Sequence, residues 1–127
     1  MEPVNMPKKW KPEKPHRTVA KPWGKEIWFA HTPHYLGKII LIRKGCRLSL
    51  QYHKKKHETL FVLHGQCEAQ VYDKKYRLRP GWVIPLPPKT PHRFKASGGP
   101  LTLLEVSTSE PEDVVRLEDD YGRSKKH

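Results

Sequence analysis

Gln51 and His53 stand two residues apart in GCRLSLQYHKKKHETLFVLHG, residues 45–65. On a strand, side chains at i and i+2 leave the same face, as two ligands of one ion must. Glu58 follows after a further four residues and opens an apolar run. A turn between His53 and Glu58 would return the chain antiparallel and bring the carboxylate beside the imidazole and the amide. Later, GWVIPLPPKTPHRF, residues 81–94, delivers His92 at the start of another strand behind a proline-rich turn. The set is then two imidazoles, one carboxylate and one amide oxygen. Such a mixed nitrogen and oxygen site suits one divalent ion, Zn, Mn, Fe, Co or Ni, without selecting among them. His53 and His57 are also spaced i, i+4, the helical two-His pattern. Lys54, Lys55 and Lys56 offer no apolar helical face, however, so His57 is expected on the outer side of the turn among these lysines.

Short apolar or alternating runs surround these residues. Ile27 to Phe29, Lys38 to Arg43, Arg47 to His53, Thr59 to Leu63, Cys67 to Tyr72, Tyr76 to Leu78, Trp82 to Leu86, His92 to Lys95 and Leu101 to Ser107 follow one another. Gly or Pro stands between most of them, and no sustained 3.6-residue stripe precedes the C-terminal tail. The pattern predicts an all-β sandwich or barrel. A length of 127 residues leaves room for one domain, without space for a second catalytic one. Two cysteines, Cys46 and Cys67, are too few for a disulfide scaffold and fit a reducing cytosol. With no apolar run of membrane-spanning length and no signal-like N-terminus, a cytoplasmic protein is expected.

Lys and Arg number 25 against 13 Asp and Glu, a net charge of +12. That balance makes nucleic acid or a phosphorylated small molecule the partners to consider. Residues 1–20 read as a basic, proline-rich extended arm, 21–123 as the folded domain and 124–127 as a tail. The arm could touch phosphates without reading sequence. Nucleic acid is therefore the alternative of a different class, and not the expected partner.

The spacing Gly45, Gln51, His53, Glu58, Gly65 resembles the first cupin motif, with Gln51 in place of its first histidine. Gly81, Pro87, Lys89 and His92 resemble the second. There Lys89 replaces the usual glycine, so the turn is expected to avoid positive φ at that position. KPWGKEIW (21–28), LSLQYH (48–53), PHRF (91–94), LLEVS (103–107) and DVVRLEDDYGR (113–123) are similar to the cupin of type II mannose-6-phosphate isomerases. In bifunctional enzymes that cupin accompanies a mannose-1-phosphate guanylyltransferase domain, for which this chain has no space. The resemblance covers about residues 20–123. It implies a small jelly-roll β-barrel, a divalent metal held by Gln51, His53, Glu58 and His92, and a homodimer.

The implied reaction interconverts mannose 6-phosphate and fructose 6-phosphate through an enediol. It needs a base, and Glu105 is favoured by position over His64, with a structural hydrogen-bond acceptor as the alternative role. For the phosphate, Arg93, Arg116 and Arg123 offer planar forks, and Lys54 and Lys56 a diffuse field. On an ideal strand Arg93 would point away from His92, and Arg116 or Arg123 could pair with Glu118, Asp119 or Asp120. Trp23, Trp28 and Trp82 are expected in the core or a dimer interface. Two further readings stay open: a non-catalytic metal-containing cupin that binds a sugar or sugar phosphate, and a metal-dependent oxygenase.

Overall fold

A computed structural model describes residues 10–15 and 17–123. The tail assigned to 124–127 and the first nine residues of the arm lie outside the described residues. Eleven strands follow in order: β1 (Arg17–Lys21), β2 (Gly24–His31), β3 (Leu36–Ile42), β4 (Leu50–Tyr52), β5 (Glu58–His64), β6 (Cys67–Val71), β7 (Lys74–Leu78), β8 (Val83–Leu86), β9 (His92–Ala96), β10 (Leu101–Ser107) and β11 (Val115–Glu118). They form a six-stranded sheet, β1-β2-β3-β10-β5-β8, and a five-stranded sheet, β11-β4-β9-β6-β7. Neighbours are antiparallel throughout. The fold is all-β and of jelly-roll type, with no helix among the described residues, and hence none long and apolar enough to cross a membrane.

Period-two alternation decides which side chains go inside. The inward rows read Ile42, Ile40, Lys38 on β3; Val62, Leu60, Glu58 on β5; Ala96, Phe94, His92 on β9; and Leu101, Leu103, Glu105 on β10, all buried. Each row begins apolar and ends polar. The apolar segments close into one core with Trp23, Leu48, Cys67, Ala69, Ile84 and Leu86. Burial there pushes the Cys67 thiol up to about 12, so it is an inert thiol. The polar ends are left to line a cavity.

Three expectations change. Residues 17–20, read as part of the arm, form most of β1 and pair with β2 from Arg17↔Trp28 to Lys21↔Gly24. β4 and β5 do not pair with each other, because the chain from His53 to Glu58 crosses from one sheet to the other. Lys89 takes a φ of 65° despite its side chain, and its N–H donates to His53 O at 2.6 Å. That hydrogen bond fixes the turn before β9. At Gly65, φ is 87°, and a Cβ would lie 2.3 Å from Pro100 O, so glycine is required there.

Candidate metal and sugar-phosphate site

β4 and β9 pair at Gln51↔His92, which sets the amide and one imidazole side by side. His53 follows directly after β4. The loop beyond it is folded by a residue about sixty positions away: the Asp113 carboxylate accepts the N–H groups of Lys54, Lys55 and Lys56 at 3.0, 2.7 and 2.9 Å. Burial raises the Asp113 carboxyl pKa, but these three N–H donors more than offset it and hold it below its usual value. The Asp113 carbonyl also accepts His53 Nδ1–H. One residue thus sets both the loop and the ring.

His53 Nε2 lies 2.9 Å and His92 Nε2 3.1 Å from Glu58 Oε1. The three ligand atoms lie within 4.8 Å of one another, and all three side chains are buried. His92 Nδ1–H donates to Thr90 O at 2.8 Å. Each neutral imidazole therefore uses its one N–H on a backbone carbonyl, and both Nε2 lone pairs face a carboxylate oxygen. His92 Nε2 is buried with no aligned hydrogen-bond partner. Three converging lone pairs are what a cation requires, so the donor set fits a divalent metal. For the Glu58 carboxyl, burial acts upward, but the two imidazoles and the Lys56 ammonium draw it well below the carboxylate range. For His53, burial acts downward and is outweighed by Glu58 and the Asp113 carbonyl, so the net shift is upward. Gln51 lines the same cavity, with its Oε1 accepting Ser49 Oγ–H at 2.9 Å.

This cavity, about 280 Å³, also contains Glu105. Lys56 Nζ bridges the Glu105 and Glu58 carboxylates at 2.9 and 3.3 Å, with its ammonium buried. Ser107 Oγ–H donates to Glu105 Oε2 at 2.9 Å. Burial works against the Lys56 charge, and the two glutamates more than restore it, raising its pKa. Lys56, expected with Lys54 to give only a diffuse field for the phosphate, instead turns inward to the carboxylates; a run of three lysines reads as a solvated turn, and Lys54 and Lys55 are indeed exposed.

The cations expected to meet substrate separate. Arg116 lines the cavity. Arg93 points to the other side, where Nε donates to Leu48 O at 3.0 Å and the fork faces Glu118 and Asp120. Arg123 is held by Asp119 through Nε and Nη2 at 2.8 and 3.1 Å. Lys54 is exposed in a separate surface groove with Tyr52, Lys55 and Lys89. Arg17, Lys21, Lys38 and Glu26 line the cavity instead. Trp23 is core and Trp82 is exposed, while Trp28 faces the cavity and donates Nε1–H to Glu26 at 3.0 Å. His57 is exposed, outside the metal set, and so is His64.

Residues 8–119 match the family described as mannose-6-phosphate isomerase C-terminal. The chain belongs to that family. Among its relatives, the xanthan biosynthesis protein XanB of Xanthomonas campestris pv. campestris (strain B100) is 34% identical over 113 residues, 86% of this chain and 24% of that protein. A mannose-1-phosphate guanylyltransferase of Klebsiella pneumoniae is 28% identical over 114 residues, 87% of this chain and 24% of the enzyme. This cupin thus spans about a quarter of the length of the curated relatives it matches. In fold it is similar to a sugar phosphate isomerase from a cupin superfamily of Silicibacter pomeroyi, with a TM-score of 0.66, 16% identity and 80% of each chain covered.

Proposed function

We propose that this cupin is a metal-dependent sugar-phosphate isomerase that interconverts mannose 6-phosphate and fructose 6-phosphate through an enediol. The observation that carries the reading is the buried Glu105 carboxylate, joined through Lys56 to Glu58 in the cavity that holds His53 and His92. His53, Glu58 and His92, with Gln51 as a fourth donor, would hold the divalent ion, which would supply Lewis-acid polarisation of the sugar carbonyl. The remaining chemistry belongs to the chain. Glu105 takes the C2 proton of the aldose and returns it to C1, while the O2 hydroxyl proton passes to O1, so atoms and charge balance. Lys56 and Ser107 both contact Oε2 of Glu105, so in this reading Oε1 is the oxygen that carries the proton.

The test is conversion of mannose 6-phosphate by the full chain loaded in turn with Zn, Mn, Fe, Co and Ni, beside Glu105→Gln. The variant is expected to keep the metal and lose at least a hundredfold in kcat. A second reading, a metal-containing cupin that binds a sugar phosphate without turnover, is favoured by the ammonium and hydroxyl already bound to Glu105. Saturable sugar-phosphate binding with no conversion under any of these metals would select it.

A further inference from the structure

β1 ends one sheet and β11 ends the other, yet side chains from both line the same cavity. The two edges therefore face each other across it, and the β11 edge adjoins the metal set, since Arg116 is the cross-strand partner of Gln51. This edge is rich in cations. Arg17 and Lys21 come from β1, Lys38 from β3 and Arg116 from β11. Arg17 Cζ and Lys38 Nζ both lie against the Trp28 ring, 4.4 and 4.5 Å from its centroid. Lys38 is paired with Glu26 at 3.3 Å, and Lys56 answers Glu58 and Glu105. Glu26, Glu58 and Glu105 are thereby committed, and Glu112 is the remaining carboxylate on the cavity wall. Arg116 Nε is buried and has no hydrogen-bond partner. Lys21 is depressed in pKa, first by burial and then by the like charges of Lys38, Arg116 and Arg123, against Glu26 alone. Three cations that Glu26 and Asp119 answer only through space, one of them with an unused buried donor, line one wall suited to an anion.

We infer that the β1/β11 edge is a dianion subsite, in which Arg116, Lys21 and Arg17 bind a phosphate monoester while the rest of the ligand reaches toward His53, Glu58 and His92. It deepens the proposed function and rests on it only for the identity of the sugar that carries the phosphate. Anion binding here does not require the metal.

Inorganic phosphate titrated into the full chain freed of metal, at constant ionic strength and followed by calorimetry, tests the inference. The expected result is saturable one-site binding that weakens at least tenfold in Arg116→Gln and in Lys21→Gln. Lys54→Gln, in the separate surface groove, should bind as the unaltered chain does. Far-ultraviolet circular dichroism confirms the fold of each variant. No saturation by the unaltered chain, equal binding by both edge variants, or a loss confined to Lys54→Gln overturns the subsite. Edge-dependent phosphate binding without sugar turnover would keep the subsite and remove the isomerase. Turnover with an unchanged KM in Arg116→Gln would do the reverse.

Discussion

Lys56 Nζ sits 2.9 Å from Glu105 Oε2 in the cavity between the sheets, although it is the third lysine of a run whose first two members are exposed. The pair links the proposed base to the metal set through Glu58. Removing the ammonium leaves two carboxylates buried together without their shared counter-charge. Lys56→Met is expected to lower stability by about 3 kcal/mol. Adding Glu105→Leu should recover at least about half of that, because a buried pair replaced by apolar groups of similar size is close to neutral. Urea unfolding of the two variants checks both numbers, and a Lys56→Met loss under about 1 kcal/mol would contradict the pairing.

The metal set predicts a graded response. His92→Ala and Glu58→Gln should each reduce bound divalent metal to a small fraction of the unaltered level, because the first removes a donor of the convergent three and the second removes their negative charge. Gln51→Ala should cost less, about tenfold in affinity, since its oxygen is already shared with Ser49. Elemental analysis after dialysis against a weak chelator ranks the three. Equal retention by His92→Ala and the unaltered chain would contradict the assignment.

Asp113 gives a pH-dependent prediction. Its folded carboxyl lies below the usual value despite burial, because three backbone N–H groups bind the charged form. Its contribution to stability is thus complete above the unfolded pKa of about 3.9 and is lost as pH falls through the lower folded value. Asp113→Asn should cost about 1 to 2 kcal/mol near neutrality and flatten the acid limb below about pH 4. Thermal unfolding of both proteins from neutral to acid pH measures the difference.

Lys89 holds a left-handed backbone at φ 65°. Lys89→Gly should stabilise the fold by up to about 1 kcal/mol, the relieved strain being partly offset by a more flexible unfolded chain. Lys89→Val should destabilise it. A rise in unfolding midpoint for valine would contradict the observed turn.

The outer face of the six-stranded sheet carries an unbroken apolar row across five strands: Ile27, Ile39, Leu104, Phe61 and Val83 are successive cross-strand partners. In a chain of net charge +12, this uncharged row, with Lys25 at its margin on the same face, is where a second copy can approach with least like-charge repulsion. We expect a homodimer through this face, and Phe61→Glu should be monomeric in sedimentation. A monomeric unaltered chain at tens of micromolar would contradict it.

How much of this was legible in the sequence follows from the range of each cause. Alternation is local, so the central strands and the inward course of His53, Glu58 and His92 could be read from spacing. Glu105 was readable by parity with Leu101 and Leu103. The inward turn of Lys56 was not, because it depends on Asp113 folding the loop from far along the chain. Arg17 looked like an arm residue because lysine and proline surround it, and only pairing with β2 makes it, with Lys21, a cavity wall. The φ of Lys89 was misjudged because side-chain type sets only a modest cost, which the hydrogen bond to His53 O outweighs.

The most direct test of the account is proton NMR of mannose 6-phosphate in D2O with the metal-loaded chain. The account predicts fructose 6-phosphate together with solvent deuterium at C2 of mannose 6-phosphate, and loss of both in Glu105→Gln. Neither signal under Zn, Mn, Fe, Co or Ni would contradict the isomerase, and both signals undiminished in Glu105→Gln would contradict the base.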